Sequence, residues 1–115
     1  MSKNAIHPAV ELVVGDVTYA LKFDFEAVAE VEDLTGKPLL TGLTRSSIEK
    51  PIIPFVRAML YAALRTEEPD VTFDQAKKLV TRRSLLTVWG KVLDAWVIFQ
   101  EEPDPAEEGP SESQS

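Results

Sequence analysis

The chain reads VTYALKFDFEAVAEVEDLTG from residue 17 to residue 36, and this stretch decides the fold. Its first half alternates in hydrophobicity with a period of two, which is typical of a strand with one buried face. At Asp24 the period changes. The carboxylate of Asp24 can accept hydrogen bonds from the first free amides of a helix, so this residue is a good N-cap. Apolar residues then recur at helical spacing: Phe25, Val28, Val31 and Leu34. Gly36 can end this helix in the left-handed conformation, and Pro38 prevents its resumption. A strand therefore leads directly into a short helix.

A second strand is predicted just before this one, over residues 9–14. Gly15 and Asp16 separate the two runs, and a two-residue loop with glycine first suits a type II′ hairpin turn. That turn pairs apolar residues on one face: Val14 with Val17, Leu12 with Tyr19, and Val10 with Leu21. Because a slip of one residue would turn every apolar side chain to the wrong face, the register is well specified.

Three more helices are predicted downstream, after an irregular connection over residues 37–50. The first begins close to Pro54, carries an unbroken apolar stripe and ends near Arg65. The second begins with a capping box between Thr72 and Gln75 and runs to about Thr81. The third covers residues 85–100, with Ser84 as a plausible cap. In the connection, three leucines are expected to pack back onto the core: Leu39, Leu40 and Leu43.

These elements predict an α+β protein, in which an N-terminal two-stranded antiparallel β-hairpin is followed by about four α-helices. We expect residues 1–8 to form a flexible N-terminal arm and residues 9–100 to form a single α+β domain. Residues 101–115 hold six acids, three prolines and no basic residue. Such a segment cannot bury enough apolar surface to offset its ordering entropy, so we expect a disordered acidic C-terminal tail.

Charge and composition restrict the possible partners. The net charge is −7, but the first 100 residues carry 12 basic and 13 acidic side chains, so the domain is near neutral. Nucleic acid is not expected as a partner, because phosphate binding needs a cluster of basic side chains. No apolar run is long enough to span a membrane, and the N-terminus lacks the apolar run of a signal peptide. A protein of the cytoplasm is expected.

The sequence contains no convincing catalytic or cofactor chemistry. The one histidine, His7, has no cysteine or carboxylate cluster beside it, and the five glycines are scattered rather than gathered in a phosphate loop. Three carboxylates lie at helical spacing, Glu26, Glu30 and Asp33, but a solvated helix face explains them better than a metal site. We therefore expect no catalytic, cofactor-binding or metal-binding residues, no cofactor and no enzymatic activity.

The last helix is unusual because it is apolar on nearly every side. One line of residues has the 4, 3, 4, 3 spacing of a helix–helix seam: Leu85, Trp89, Val92, Trp96 and Phe99. A second apolar line runs beside it through Leu86, Leu93 and Val97. In so small a domain, one side can pack on the core while another needs a partner. The predicted partner-binding residues are Leu86, Trp89, Leu93, Trp96 and Val97. The alternative is that the hairpin and other helices cover this helix completely.

The chain resembles a known family in the order of these motifs. A strand ending in LKFDF that passes into EAVAEVEDLTG resembles the N-terminal signature of phage tail assembly chaperones of long-tailed phages and of gene-transfer-agent clusters. The later segments FVRAMLYAALR (residues 55–65) and TEEPDVTFDQA (residues 66–76) are also similar to that family, although Pro51 and Pro54 depart from its pattern. The resemblance covers about residues 9–100.

The resemblance implies a function that the residues alone do not. It implies a non-enzymatic chaperone that binds the tape measure protein, keeps it soluble and helps recruit tail tube protein during tail morphogenesis. In such phages a ribosomal frameshift often yields a longer form that recruits the tube subunits. The protein would act in the host cytoplasm, could form a homo-oligomer and would be absent from the mature virion.

Two other classes stay open. One is a structural virion component, such as a tail completion or head–tail connector subunit, which would form a stable ring and remain in the particle. The other is a small adaptor domain that dimerises through a helix.

Overall fold

The computed structural model describes residues 9–101, and the expected N-terminal arm and all but the first residue of the expected tail lie outside this range. Within it the protein is α+β, as the sequence predicts: a two-stranded antiparallel hairpin is followed by five helices. Their order is β1 (Val10–Val14), β2 (Val17–Leu21), α1 (Phe25–Thr35), α2 (Arg45–Glu49), α3 (Ile53–Glu67), α4 (Phe73–Leu79) and α5 (Leu85–Glu101).

The hairpin has the predicted register. Val10 pairs with Leu21, Leu12 with Tyr19 and Val14 with Val17. Gly15 has a φ of +64°, and no residue other than glycine between positions 9 and 101 has a positive φ, which fits a type II′ turn. Leu12 and Leu21 are fully buried, so the inner face of the hairpin closes one side of the core.

Helix α1 begins and ends as the sequence predicts. The Asp24 carboxylate accepts a hydrogen bond from the amide of Ala27 at 2.8 Å, and Gly36 closes the helix with a φ of +71°. Only the middle of the expected apolar side is buried, at Val28 and Val31; Phe25 and Leu34 are exposed. These two residues are nine positions apart, which is two and a half helical turns, so they lie on opposite sides of the helix.

The connection after α1 is more regular than predicted. Residues 45–49 form helix α2, which is capped by Thr44 through a hydrogen bond from the Ser47 amide at 3.1 Å. Leu39 is buried and Leu43 packs against the core, because the Leu43 amide bonds the Leu39 carbonyl and closes one turn between them. Leu40 lies within that turn and is exposed, so its predicted burial is wrong.

Helix α3 is the centre of the core. Seven of its fifteen residues are buried, and it contacts β2, α1, α4 and α5. Pro54 lies in the first turn, where a missing backbone N–H costs no hydrogen bond. The Lys22 amide, just after β2, donates to the Ala63 carbonyl at 3.1 Å and so ties the strand–helix junction to α3.

The two remaining helices differ in how they begin. At α4 both bonds of the predicted capping box are present, with the Thr72 amide 2.9 Å from the Gln75 side-chain oxygen. At α5 the Ser84 hydroxyl instead donates to the Leu79 carbonyl at 2.6 Å and accepts from the Thr81 amide. The predicted helix cap at Ser84 is therefore replaced by a turn between α4 and α5.

Candidate partner-binding surface

Helix α5 carries all five predicted partner-binding residues, but the structure does not bring them onto one surface. Trp89 and Trp96 are buried, Leu93 is partly buried, and Leu86 and Val97 are exposed. The seam-spaced line faces the protein's own core, and the second apolar line lies outside. Helix α5 contacts β1 and α3, and its other buried residues, Val88, Val92 and Ala95, lie on the same inward side as the two tryptophans.

Trp89 holds α5 against the other helices. Its ring lies 5.7 Å from the ring of Phe55 at the start of α3. Its indole nitrogen donates a hydrogen bond to the carbonyl of Ile48 at 2.8 Å. A buried indole N–H needs a hydrogen-bond acceptor, and the carbonyl of Ile48 provides it. The side chain is therefore occupied within the domain.

Trp96 is part of an aromatic cluster in the core. It is 3% exposed and lies edge-on to Phe23 with 5.5 Å between ring centroids, and Phe99 lies 5.5 Å away on its own helix. Phe23 is the middle one of the three residues that join β2 to α1. The Trp96 contact therefore fastens the last helix to the strand–helix unit on which the fold is built.

The outer side of α5 presents a stripe that no described part of the chain covers completely. We define the outer stripe as Leu86, Gly90, Leu93 and Val97, which follow one another at steps of 4, 3 and 4 residues. Leu86 is 83% exposed and Val97 is 48% exposed. The stripe extends for about 16 Å along the helix. Its spacing is that of a seam for a second helix.

Gly90 lies in the middle of the stripe and has open space beside it. A Cβ atom at this position would meet no other atom within 4 Å, so the glycine is not there to relieve crowding. Glycine in a helix costs about 1 kcal/mol relative to alanine. Because it has no side chain, the stripe is lower in the middle than at Leu86 and Val97. The sequence indicates this position by a glycine at seam spacing between Leu86 and Leu93 in an apolar helix.

The rest of the described chain offers little chemistry. Between residues 9 and 101 no group of three or more histidine, cysteine or acidic side chains is placed to hold a metal ion. No helix in the same range is both long enough and apolar enough to cross a membrane. Glu30, one of the three carboxylates of α1, forms an ion pair with Arg65 of α3 at 3.1 Å.

Comparisons with known proteins give no family for this chain. No protein-family model matches it, and no curated protein and no solved structure matches it. The exposed side of α5 and the resemblance in the motif order are the two observations that bear on function.

Proposed function

We propose that the protein is a non-enzymatic phage tail assembly chaperone that binds an apolar helical segment of the tape measure protein. The outer stripe of α5 carries this proposal. It is apolar, it has the spacing that a helix needs, and Gly90 lets a partner backbone approach. The chaperone keeps the tape measure protein soluble and helps recruit tail tube protein.

The burial of the two tryptophans changes which residues we assign to binding. Leu86, Leu93 and Val97 contact the partner, whereas Trp89 and Trp96 hold α5 in place. Leu93 is packed partly against the core, so it links the bound helix to the domain. The acidic residues after position 100 help to keep the complex in solution in the host cytoplasm.

Co-expression with the tape measure protein tests the proposal. We expect the wild-type chain to bring the tape measure protein into the soluble fraction and to retain it in a pull-down. The double variant Leu86→Gln, Val97→Thr should fold but lose this capture. Val13→Thr is the matched control, since Val13 is also an exposed valine but lies on the outer face of the hairpin.

The alternatives give different results in the same experiment. A structural virion component would leave the tape measure protein insoluble and would co-purify with finished particles. An adaptor domain would form a tight homodimer that the stripe variant disrupts, without affinity for tape measure segments. Either result would overturn the chaperone proposal.

A further inference from the structure

A groove lies where the end of α1, helix α2 and the start of α3 meet. It has a volume of about 480 Å³ and is largely apolar, with Leu34, Ile52 and Phe55 among its lining residues. Ile52 is 63% exposed. An apolar cavity of about 150 Å³ is already large enough to hold benzene. The groove therefore has room for an aromatic side chain.

The charged residues that line this groove are both basic. Lys37 and Lys50 line it, and no acidic side chain is among the described residues that do so. Neither lysine forms an ion pair with another residue between positions 9 and 101. The carboxylate of Glu32 does not line the groove, but it accepts a hydrogen bond at 2.7 Å from the amide of Leu39, which does. The groove therefore favours an apolar side chain that is accompanied by carboxylates.

The opposite end of α1 carries that combination. Phe25 is the first residue of the helix and is 68% exposed, which is unusual for so large an apolar side chain. Its neighbours in the chain are Asp24 and Glu26, and both are exposed. One end of α1 thus presents an acidic aromatic projection, and the other end borders a basic apolar groove.

A single chain cannot bring these two features together. Phe25 and Leu34 are nine positions apart in one helix, a distance of about 13 Å along its axis. Other segments of the chain fit the groove less well by their composition. Residues 1–8 include Lys3 and the amino terminus, and residues 102–115 have no apolar side chain except Ala106.

We propose that the groove of one chain receives Phe25 of a second copy, with Lys37 and Lys50 facing Asp24 and Glu26 of that copy. The contact is head-to-tail, so each pair keeps one free groove and one free Phe25. Such contacts produce rings when they close and filaments when they do not. The inference goes beyond the proposed function, because it uses no residue of the outer stripe.

Sedimentation of the full chain from micromolar to millimolar concentration tests self-association. We expect species that grow with concentration in the wild type. Phe25→Ser and Ile52→Glu should each weaken association by about tenfold or more. Ile53→Glu is the matched control, because Ile53 is exposed beside Ile52 but does not line the groove. Circular dichroism and thermal melting should show that all three variants remain folded.

Mixing the two defective variants distinguishes a head-to-tail contact from a symmetric one. Phe25→Ser keeps an intact groove and Ile52→Glu keeps an intact Phe25, so one contact can form between them. We expect a 1:1 heterodimer that does not grow further. Lys37→Glu alone should weaken association. The double variant Lys37→Glu, Glu26→Lys should restore it, because the two exchanged charges attract again.

Three results would overturn the inference. The first is a wild-type chain that stays monomeric up to millimolar concentration. The second is an equal loss of association in Ile53→Glu and Ile52→Glu. The third is association that depends on Leu86 and Val97 instead, which would make the outer stripe the surface between copies.

Discussion

The indole nitrogen of Trp89 donates a hydrogen bond to the carbonyl oxygen of Ile48 at 2.8 Å, joining α5 to a helix 41 positions earlier in the chain. This bond fixes the short helix α2 against the end of the molecule where α3 begins. It lies on the inward side of α5, where Trp89 is buried, whereas Leu86, three residues earlier, is exposed.

Trp89→Phe should therefore destabilise the domain without affecting partner capture. The phenyl ring keeps an aromatic contact with Phe55, but the Ile48 carbonyl loses its donor. We expect the free energy of unfolding to fall by about 1–2 kcal/mol, in the range for a lost hydrogen bond to a partly buried group. Urea unfolding followed by circular dichroism measures this. An unchanged unfolding midpoint, or a loss of capture at unchanged stability, would contradict the assignment.

Trp96→Ala should have a larger effect on stability. Truncation of a buried aromatic residue typically costs about 3–5 kcal/mol, and small domains have only about 5–15 kcal/mol in total. We expect a large fall in melting temperature or loss of the folded state. Val97→Ala is the matched control, because the neighbouring side chain is half exposed and should change stability by no more than about 0.5 kcal/mol. If both variants fold equally well, the aromatic cluster around Trp96 is not part of the core.

The sequence predicts the first third of this fold well because its signals there are local. The hairpin register follows from a period of two and a glycine-containing turn, and the limits of α1 follow from Asp24 and Gly36. Those features need only residues that are close in the chain. Helix α2 was missed although Thr44 is a good cap, because five residues are too few to show a helical period.

The division of α5 could not be predicted because it depends on distant contacts. Leu86 and Trp89 both belong to apolar lines at helical spacing, and the sequence does not show which of the two is buried. Trp89 is buried because Phe55 and Ile48 are brought to it by α2 and α3. The same is true of Phe25 and Leu34 in α1. Their spacing predicts a helix, but only the packing of α1 on α3 determines which of its apolar residues are buried.

Asp24→Ala should show how much the first helix depends on its cap. The carboxylate accepts the Ala27 amide at 2.8 Å, and loss of such a cap costs about 0.5–2 kcal/mol. Asp24→Asn keeps an acceptor of the same shape without the charge, so it should retain most of the stability. Chemical denaturation of the three proteins measures the difference. Equal losses in both variants would mean that charge at the helix N-terminus matters more than the hydrogen bond.

Alanine in place of Gly36 and in place of Gly90 should change stability in opposite directions. A Cβ atom would meet nothing within 4 Å at either position, so the difference lies in the backbone. Gly36 has a φ of +71°, and alanine there should cost about 1 kcal/mol. Gly90 is inside a regular helix, where alanine should add up to about 1 kcal/mol. Thermal unfolding measures both changes, and a destabilised Gly90→Ala would mean that the site is more crowded than its surroundings indicate.

Gly90 also gives the sharpest separation of stability from binding. Gly90→Ala should raise the melting temperature yet, if the proposed function holds, weaken capture of the tape measure protein, because the methyl group would stand in the way of the partner backbone. Gly90→Leu should weaken capture further. Thr87→Leu adds the same side chain on the adjacent flank of α5 and should leave capture intact. A mutation that stabilises the free protein cannot reduce binding through unfolding, so reduced capture by Gly90→Ala would place the partner on the outer stripe. Full capture by Gly90→Leu would place it elsewhere.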